Sequence, residues 1–85
     1  MSFFVYVLEN NVGRIYIGQT DDLERRLRQH NDREFDRRSF TKLHKGPWKL
    51  VYSEQFTSRT QALLREKQLK SHKGRDWLRQ EVLGP

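Results

Sequence analysis

The sequence predicts an α+β fold in which a three-stranded antiparallel sheet has helices packed on it, in the element order ββαβαα. Three stretches have the composition and alternation of β-strands: FFVYVLE at 3–9, RIYIGQ at 14–19 and WKLVYSE at 48–54. One helical pattern follows the second strand and two follow the third. In so short a chain these helices are expected to cover the sheet.

The first two strands are expected to pair as a hairpin. Residues 3–9 are apolar on both alternating faces and rich in β-branched and aromatic types, which indicates a central strand covered on both sides. The sequence NNVG at 10–13 is typical of a tight turn. The second strand alternates isoleucines with Tyr16 and Gly18, so its pairing is expected to bring Tyr16 near Tyr6.

The first helix is expected directly after the hairpin. Thr20 or Asp21 is a suitable N-cap, and Asp21 with Glu24 has the spacing of a capping box. The helix is expected to run to about Asn31. Residues 32–47 have no periodicity and end in Gly-Pro, so they are expected to form a loop or a partly helical excursion.

The third strand and two further helices account for the rest of the chain. In the strand Trp48, Leu50 and Tyr52 alternate with other residues, and Ser58 with Gln61 forms a second capping pair. The expected bounds are 48–54 for the strand, Ser58 to about Ser71 for the second helix and about Gly74 to Leu83 for the third.

The composition indicates a single small domain, 1–85, with an excess of positive charge. Seventeen Lys and Arg against eleven Asp and Glu give a formal charge of +6 and a pI near 10.1, which is typical of a nucleic-acid partner. The absence of cysteine excludes disulfides and thiolate zinc sites. No apolar run approaches the roughly 20 residues of a membrane span, and the amino end lacks signal-peptide features. We therefore expect a complete, cytoplasmic chain with no membrane partner.

Polar side chains occupy the helical stripes that should face the sheet. At about 100° per residue, Arg26 and His30 share one arc with Leu23 and Leu27. In the second helix Glu66 falls on the inward stripe. Two interpretations are open: an internal Arg26–Glu66 ion pair beside an ordinary core histidine, or a shared site.

Two tyrosines, an arginine, a histidine and one carboxylate suit the hydrolysis of a phosphodiester. That reaction needs a base that activates water, positive charge for the developing phosphorane, and help for the leaving oxygen. Tyrosine or histidine can be the base, arginine can stabilise the anion, and glutamate can hold a hard divalent ion such as Mg²⁺. Considered alone, Tyr6 and Tyr16 are more typical of ordinary strand aromatics than of a catalytic site.

Two tripeptides, an arginine and a glutamate stand at a characteristic spacing. They are Val5-Tyr6-Val7 in the first strand, Tyr16-Ile17-Gly18 in the second, Arg26 ten residues after Tyr16, and Glu66 on a later helix. This arrangement, which spans nearly the whole chain, resembles the GIY-YIG nuclease family. YIGQTDDLERRLRQHN and REKQLKSHKGRDWL are similar to small stand-alone bacterial members related to the amino-terminal nuclease domain of the bacterial excinuclease. The resemblance implies a GIY-YIG-like fold and metal-dependent cleavage of a DNA strand.

The resemblance also implies a role for each matching residue. Tyr6 and Tyr16 match the two tripeptide tyrosines, one of which is proposed in the family to activate the nucleophilic water. Arg26 matches the arginine that steadies the scissile phosphate, and Glu66 matches the metal-binding glutamate, with Mg²⁺ or Mn²⁺ as the implied ion. His30 stands where members carry Tyr or His. Which of Tyr6, Tyr16 and His30 is the general base stays open.

The chain departs from the family pattern at three places. The first tripeptide lacks its glycine although its tyrosine is retained. Gln19 stands where excinuclease-type members have a lysine, a change that either weakens phosphate contact or transfers that contact to another cation. The stretch DREFDRRS at 32–39 looks like an extension where relatives have a short glycine-rich turn.

Two basic segments are candidates for contact with the DNA backbone. The stretch 37–49 has five cations and no acid, interleaved with Phe40, His44 and Trp48, which can stack on a base. A second basic run surrounds the end of the Glu66 helix. Because no reading head for sequence is present, we expect selection of branched, flapped or damaged DNA by shape or through a targeting protein partner. The expected DNA-binding residues are Arg37, Arg38, Lys42, Lys45, Lys49, Lys67, Lys70 and Lys73.

Two functions of another class stay open beside the endonuclease. One is a catalytically silent nucleic-acid-binding module with the same fold. The other is an adaptor that recruits a repair partner through residues 37–49. Retention of all five candidate catalytic residues favours an active enzyme, because a decayed site is expected to lose at least one of them.

Overall fold

The structure is a computed structural model that describes residues 2–31 and 47–84. It confirms the α+β fold, and within these two ranges it has a three-stranded antiparallel sheet and three helices. None of the helices in the described ranges is both long enough and apolar enough to span a membrane. The elements are β1 (Phe3–Glu9), β2 (Ile15–Thr20), α1 (Leu23–Asn31), β3 (Lys49–Phe56), α2 (Arg59–Lys70) and α3 (His72–Glu81).

The sheet has the strand order β2-β1-β3, so the most apolar strand is central, as predicted. Four consecutive residues of β1, from Val5 to Leu8, are buried, which shows that both faces of the strand are covered. In the β1–β2 register Tyr6 lies opposite Gly18. This pairing places the tyrosine beside the one residue of β2 that has no side chain.

The hairpin turn is organised by the side chain of Asn10. Its Oδ1 accepts hydrogen bonds from the backbone N–H groups of Val12, at 3.2 Å, and of Arg14, at 2.8 Å. Gly13 has φ +83°, a conformation that glycine adopts without strain. The NNVG sequence therefore forms the tight turn that it predicts.

The two faces of the sheet carry separate apolar clusters, because alternate residues of β1 point to opposite sides. Val5 and Val7 pack with the buried residues of α2 and α3, among them Leu69 and Leu78. Tyr6 and Leu8 pack on the other face with Trp48 and with the leucines of α1. Helix α1 therefore covers one face, and α2 with α3 covers the other.

The N-cap of α1 differs from the prediction. The helix is capped by Asp22, whose Oδ1 accepts from the backbone N–H of Arg25 at 3.0 Å. The predicted Asp21–Glu24 capping box is wrong, since Asp21 instead forms an ion pair with the Arg25 side chain at 2.8 Å. The physical reason is that β2 continues through Thr20, whose hydroxyl accepts from the backbone N–H of Asp22 and shapes the strand-to-helix turn.

Strand β3 contains a bulge that the alternation of its sequence does not predict. Leu50 and Tyr52 pair with consecutive residues of β1, which leaves Val51 as the extra residue. The bulge breaks the expected alternation, because it places Leu50 opposite Leu8 and Tyr52 opposite Val7, which belong to the apolar clusters on opposite faces of the sheet. Leu50 is 37% exposed, and Trp48, just before the strand, is 3% exposed. The strand also begins one residue later than predicted and ends at Phe56, two residues later.

The junction between α2 and α3 is short and tightly packed. Ser58 caps α2 by accepting from the backbone N–H of Gln61, as predicted. Ser71 caps α3 by accepting from the backbone N–H of Gly74, so α3 begins at His72, two residues earlier than predicted, and it also ends two residues earlier. A β-carbon at position 74 would lie 2.1 Å from a backbone oxygen of α2, so glycine permits this close approach.

Candidate active site

The hydroxyl of Tyr6 lies at the centre of a hydrogen-bonded cluster formed by β1 and α1. Its oxygen is 2.8 Å from Nε2 of His30, and Nε of Arg26 donates to the same oxygen at 3.3 Å. Because a guanidinium can only donate, the Tyr6 oxygen is the acceptor in its contact with Arg26. The tautomer of His30 decides whether Nε2 accepts the phenolic proton or donates to the Tyr6 oxygen.

Helix geometry explains why α1 delivers both partners of Tyr6. Arg26 and His30 are four residues apart and therefore lie on the same helical face, which meets the sheet as the helical wheel predicts. His30 is 5% exposed. The guanidinium of Arg26 is fixed further by Gln29, whose Oε1 accepts from Nη1 at 3.0 Å.

Tyr16 and Gly18 complete the cluster from β2. The ring centroid of Tyr16 lies 6.1 Å from that of Tyr6 and 4.7 Å from that of His30. A β-carbon at Gly18 would lie 2.7 Å from the Tyr6 hydroxyl oxygen and 2.9 Å from the Tyr16 ring. Glycine at position 18 is therefore what allows the two tyrosines to approach each other across the strands, as the hairpin predicts.

Burial sets the ionisation of the cluster. Removal from water raises the pKa of the Tyr6 phenol, and the hydrogen bond from Arg26 offsets only part of that rise. Burial lowers the pKa of Arg26, but hydrogen bonds and charge interactions with the tyrosines raise it by more. The cluster therefore combines a protonated phenol with a charged guanidinium at neutral pH.

Glu66 does not contact this cluster. It lies on α2, which packs on the opposite face of the sheet from α1. Its side chain is 20% exposed, and Oε2 pairs with Nζ of Lys70 at 3.2 Å. The structure describes both Arg26 and Glu66 and joins them by no ion pair, so the interpretation as an internal Arg26–Glu66 pair is wrong.

Gln19, at the position where the family resemblance leads one to expect a lysine, has a cation beside it. Nη1 of Arg59 donates to its Oε1 at 3.4 Å. The same guanidinium lies 4.9 Å from the ring centroid of Phe3. A positive charge therefore stands near this end of β2 although residue 19 is neutral.

The structure describes half of the predicted DNA-binding residues. Lys49 begins β3, and the lysines of α2 and α3 are exposed. Trp48 is only 3% exposed, so its predicted stacking on a nucleic-acid base is wrong; it belongs to the core beneath α1. The predicted residues Arg37, Arg38, Lys42 and Lys45, like Phe40 and His44, lie outside the described residues.

A cleft of about 480 Å³ opens along the outer edge of β2. It is lined by residues 13–17, including Tyr16, together with basic side chains of α2 and α3. Arg14 and Arg79 of this lining are not among the residues predicted from the sequence. The available signal was the four-residue spacing of Arg75 and Arg79, which puts both on one face of α3.

Among the described residues, the candidate metal site offers a single carboxylate, that of Glu66. Within residues 2–31 and 47–84, no three His, Asp or Glu side chains lie close enough together to hold an ion. Glu66 is mostly buried and has one lysine as its partner. This set fits Mg²⁺, which commonly takes one or two protein carboxylates and fills its other positions with water and substrate phosphates.

Comparison with known proteins places the fold and the motifs in one family. The GIY-YIG catalytic domain family matches residues 2–80. A UPF0213 protein of Staphylococcus epidermidis is 35% identical over 69 residues, covering 81% of this chain and 80% of its own. A UPF0213 protein of Haloquadratum walsbyi is 39% identical, covering 81% of this chain and 74% of its own.

A solved structure of a protein with the same family name as these two relatives is also similar to this chain. The solution NMR structure of a UPF0213 protein from Bacillus halodurans is similar with a TM-score of 0.54 and 30% identity. The alignment covers 92% of this chain and 82% of that one. The sequence relatives and the structural neighbour therefore carry the same family name.

Proposed function

This chain belongs to the GIY-YIG catalytic domain family, and from that premise we propose that it is a divalent-metal-dependent endonuclease that hydrolyses DNA phosphodiester bonds. The observation that carries the proposal is the Tyr6 hydroxyl held between Nε2 of His30 and Nε of Arg26. It combines a proton acceptor, a proton carrier and a fixed positive charge within one hydrogen-bonded group.

In the proposed reaction Tyr6 and His30 act together as the general base. The phenol is protonated at rest, because burial raises its pKa. As the attacking water bonds to phosphorus, its proton moves to the Tyr6 oxygen while the phenolic proton moves to Nε2 of His30. The P–O bond on the opposite side breaks, and the leaving oxygen takes a proton from solvent.

Arg26 supplies the positive charge for this step. Its guanidinium already lies against the Tyr6 oxygen, so it stabilises negative charge both there and on the adjacent phosphate. Gln29 restricts the orientation of the guanidinium and so reduces the reorganisation that the transition state requires. Tyr16 packs against His30 and forms the side of the cluster that faces the β2 edge.

Glu66 is the residue proposed to hold Mg²⁺ or Mn²⁺, with phosphate oxygens of the DNA completing the coordination. A bound ion would supply positive charge for the leaving oxygen. Because Glu66 pairs with Lys70, binding of the ion would displace the lysine from the carboxylate and release its charge for the DNA.

The proposed substrate is DNA selected by shape, in repair or processing. The charge of +6 favours backbone contacts. A single residue, Ser71, separates α2 from α3, whereas a DNA-reading helix-turn-helix has a turn of about three to four residues. We propose that residues 1–85 act as one domain in the cytoplasm. The proposed substrate is branched, flapped or damaged DNA, and a targeting protein is a further proposed partner.

Cleavage of labelled DNA tests the proposal. Purified protein is incubated at low salt with branched, flapped and plain duplex DNA, in Mg²⁺, Mn²⁺ or EDTA. Cutting that requires the metal supports the endonuclease. Binding without cutting on every substrate supports the silent nucleic-acid-binding module, and capture of a protein in place of DNA by residues 37–49 supports the adaptor.

The pH dependence of cleavage tests the Tyr6–His30 couple. Because burial raises the pKa of Tyr6, the rate is expected to stay level from about pH 8 to about pH 9.5. A rise of about tenfold per pH unit over that range would instead identify a free phenolate as the base.

A further inference from the structure

We propose that the cleft along the β2 edge binds the sugar-phosphate backbone of the DNA strand beside the phosphate that is cut. This inference rests on the proposed nuclease function and adds to it the path of the substrate strand. The cleft, of about 480 Å³, is lined by residues 13–17 and by side chains of α2 and α3.

Four cations from three separate elements converge on this cleft. Arg14 comes from the end of the hairpin turn, Lys70 from the last residue of α2, and Arg75 and Arg79 from one face of α3. No carboxylate is among the described residues that line it. Like charges four residues apart destabilise a helix, so a bound polyanion would relieve a repulsion that the fold retains.

Two of the four cations, Arg14 and Arg75, have no acidic partner within the part of the chain that the structure describes, whereas Lys70 pairs with Glu66 at 3.2 Å. The Arg14 side chain takes part in no hydrogen bond or ion pair there. Nε of Arg75 donates to the backbone oxygen of Lys70 at 3.1 Å, which orients the guanidinium and leaves its two outer nitrogens for a ligand. Arg79 is 67% exposed and lies 3.8 Å from Asp76, at the limit of an ion pair.

The position of the cleft connects it to both parts of the candidate active site. β2 is an edge strand, so the two faces of the sheet meet along its outer side. Tyr16 lines the cleft and also packs against His30. Lys70 lines the cleft and also pairs with Glu66. A strand lying along this edge therefore passes from the Tyr6 cluster on one face to the carboxylate on the other.

Salt-dependent DNA binding tests this assignment. Affinity for fluorescent flapped DNA is measured by anisotropy in EDTA, where no cutting occurs, over about 0.05 to 0.3 M salt. The double variant Arg75→Gln/Arg79→Gln is expected to lower the slope of log K against log salt by about 2. Its affinity near 0.1 M salt is expected to fall tenfold or more. Arg14→Gln, as an independent single change, is expected to lower the slope by about 1.

The matched control is Arg25→Gln/Arg28→Gln, which removes the same charge from exposed positions of α1. An equal loss of slope in the control would overturn the proposal, because net charge alone would then explain it. Cleft variants that bind like the native protein would also overturn it, while cutting by the native protein would leave the nuclease standing. A native protein that neither binds nor cuts DNA would contradict the nuclease itself. Thermal unfolding checks that each variant is folded.

Discussion

Glu66→Gln is expected to abolish metal-dependent cleavage of DNA without weakening DNA binding. The amide keeps the size of the side chain but lacks the negative charge that a hard divalent ion needs. Loss of the carboxylate also frees Lys70, its partner at 3.2 Å, for contact with phosphate. The measurement is single-turnover cleavage in Mg²⁺ or Mn²⁺, together with DNA affinity in EDTA.

Glu24→Gln is the control for this variant. Glu24 is an exposed glutamate of α1, so the same chemical change there is expected to leave the rate at its native value. Cleavage by Glu66→Gln at the native rate would remove Glu66 from the proposed metal site. Equal loss of cutting and binding would assign it a structural role instead.

Arg26→Ala is expected to lower the cleavage rate by roughly 10² to 10³ and to reduce DNA affinity far less. The guanidinium stabilises charge that develops in the transition state, whereas many cations share the binding of the ground state. The measurement is the single-turnover rate at saturating DNA beside the binding constant of the same preparation.

Arg25→Ala is the neighbouring control on the same helix. Its side chain is 53% exposed and paired with Asp21, so its loss removes one positive charge outside the cluster. If Arg25→Ala lowered the cleavage rate as much as Arg26→Ala, the loss of net charge would explain the effect of both variants. Parallel loss of binding and rate in Arg26→Ala would make Arg26 a binding residue.

The Tyr6 cluster could be predicted from the sequence because each of its members is placed by local periodicity. Alternation in β1 and β2 fixes the faces of Tyr6 and Tyr16, and the helical wheel fixes the face of Arg26 and His30. The hairpin and the order of elements then bring the two faces together.

The parts of the site that were missed depend on packing between elements distant in sequence. Wheel geometry shows that Glu66 faces inward, but it does not show that α2 lies on the opposite side of the sheet from α1. The cleft joins Arg14 to α3 only because a glycine lets the α2–α3 junction close tightly. The bulge at Val51 likewise depends on how β3 pairs with β1.

The central claim is that the Tyr6 hydroxyl takes part in the chemistry, and the most direct test is the single-turnover cleavage rate of Tyr6→Phe. The phenyl ring preserves packing in the core, so the variant removes only the hydroxyl between His30 and Arg26. Tyr52→Phe, which removes a hydroxyl donated to Glu54 away from the cluster, is measured beside it. The account predicts a loss of roughly 10² to 10⁴ for Tyr6→Phe and a native rate for Tyr52→Phe. A native rate for Tyr6→Phe would contradict it.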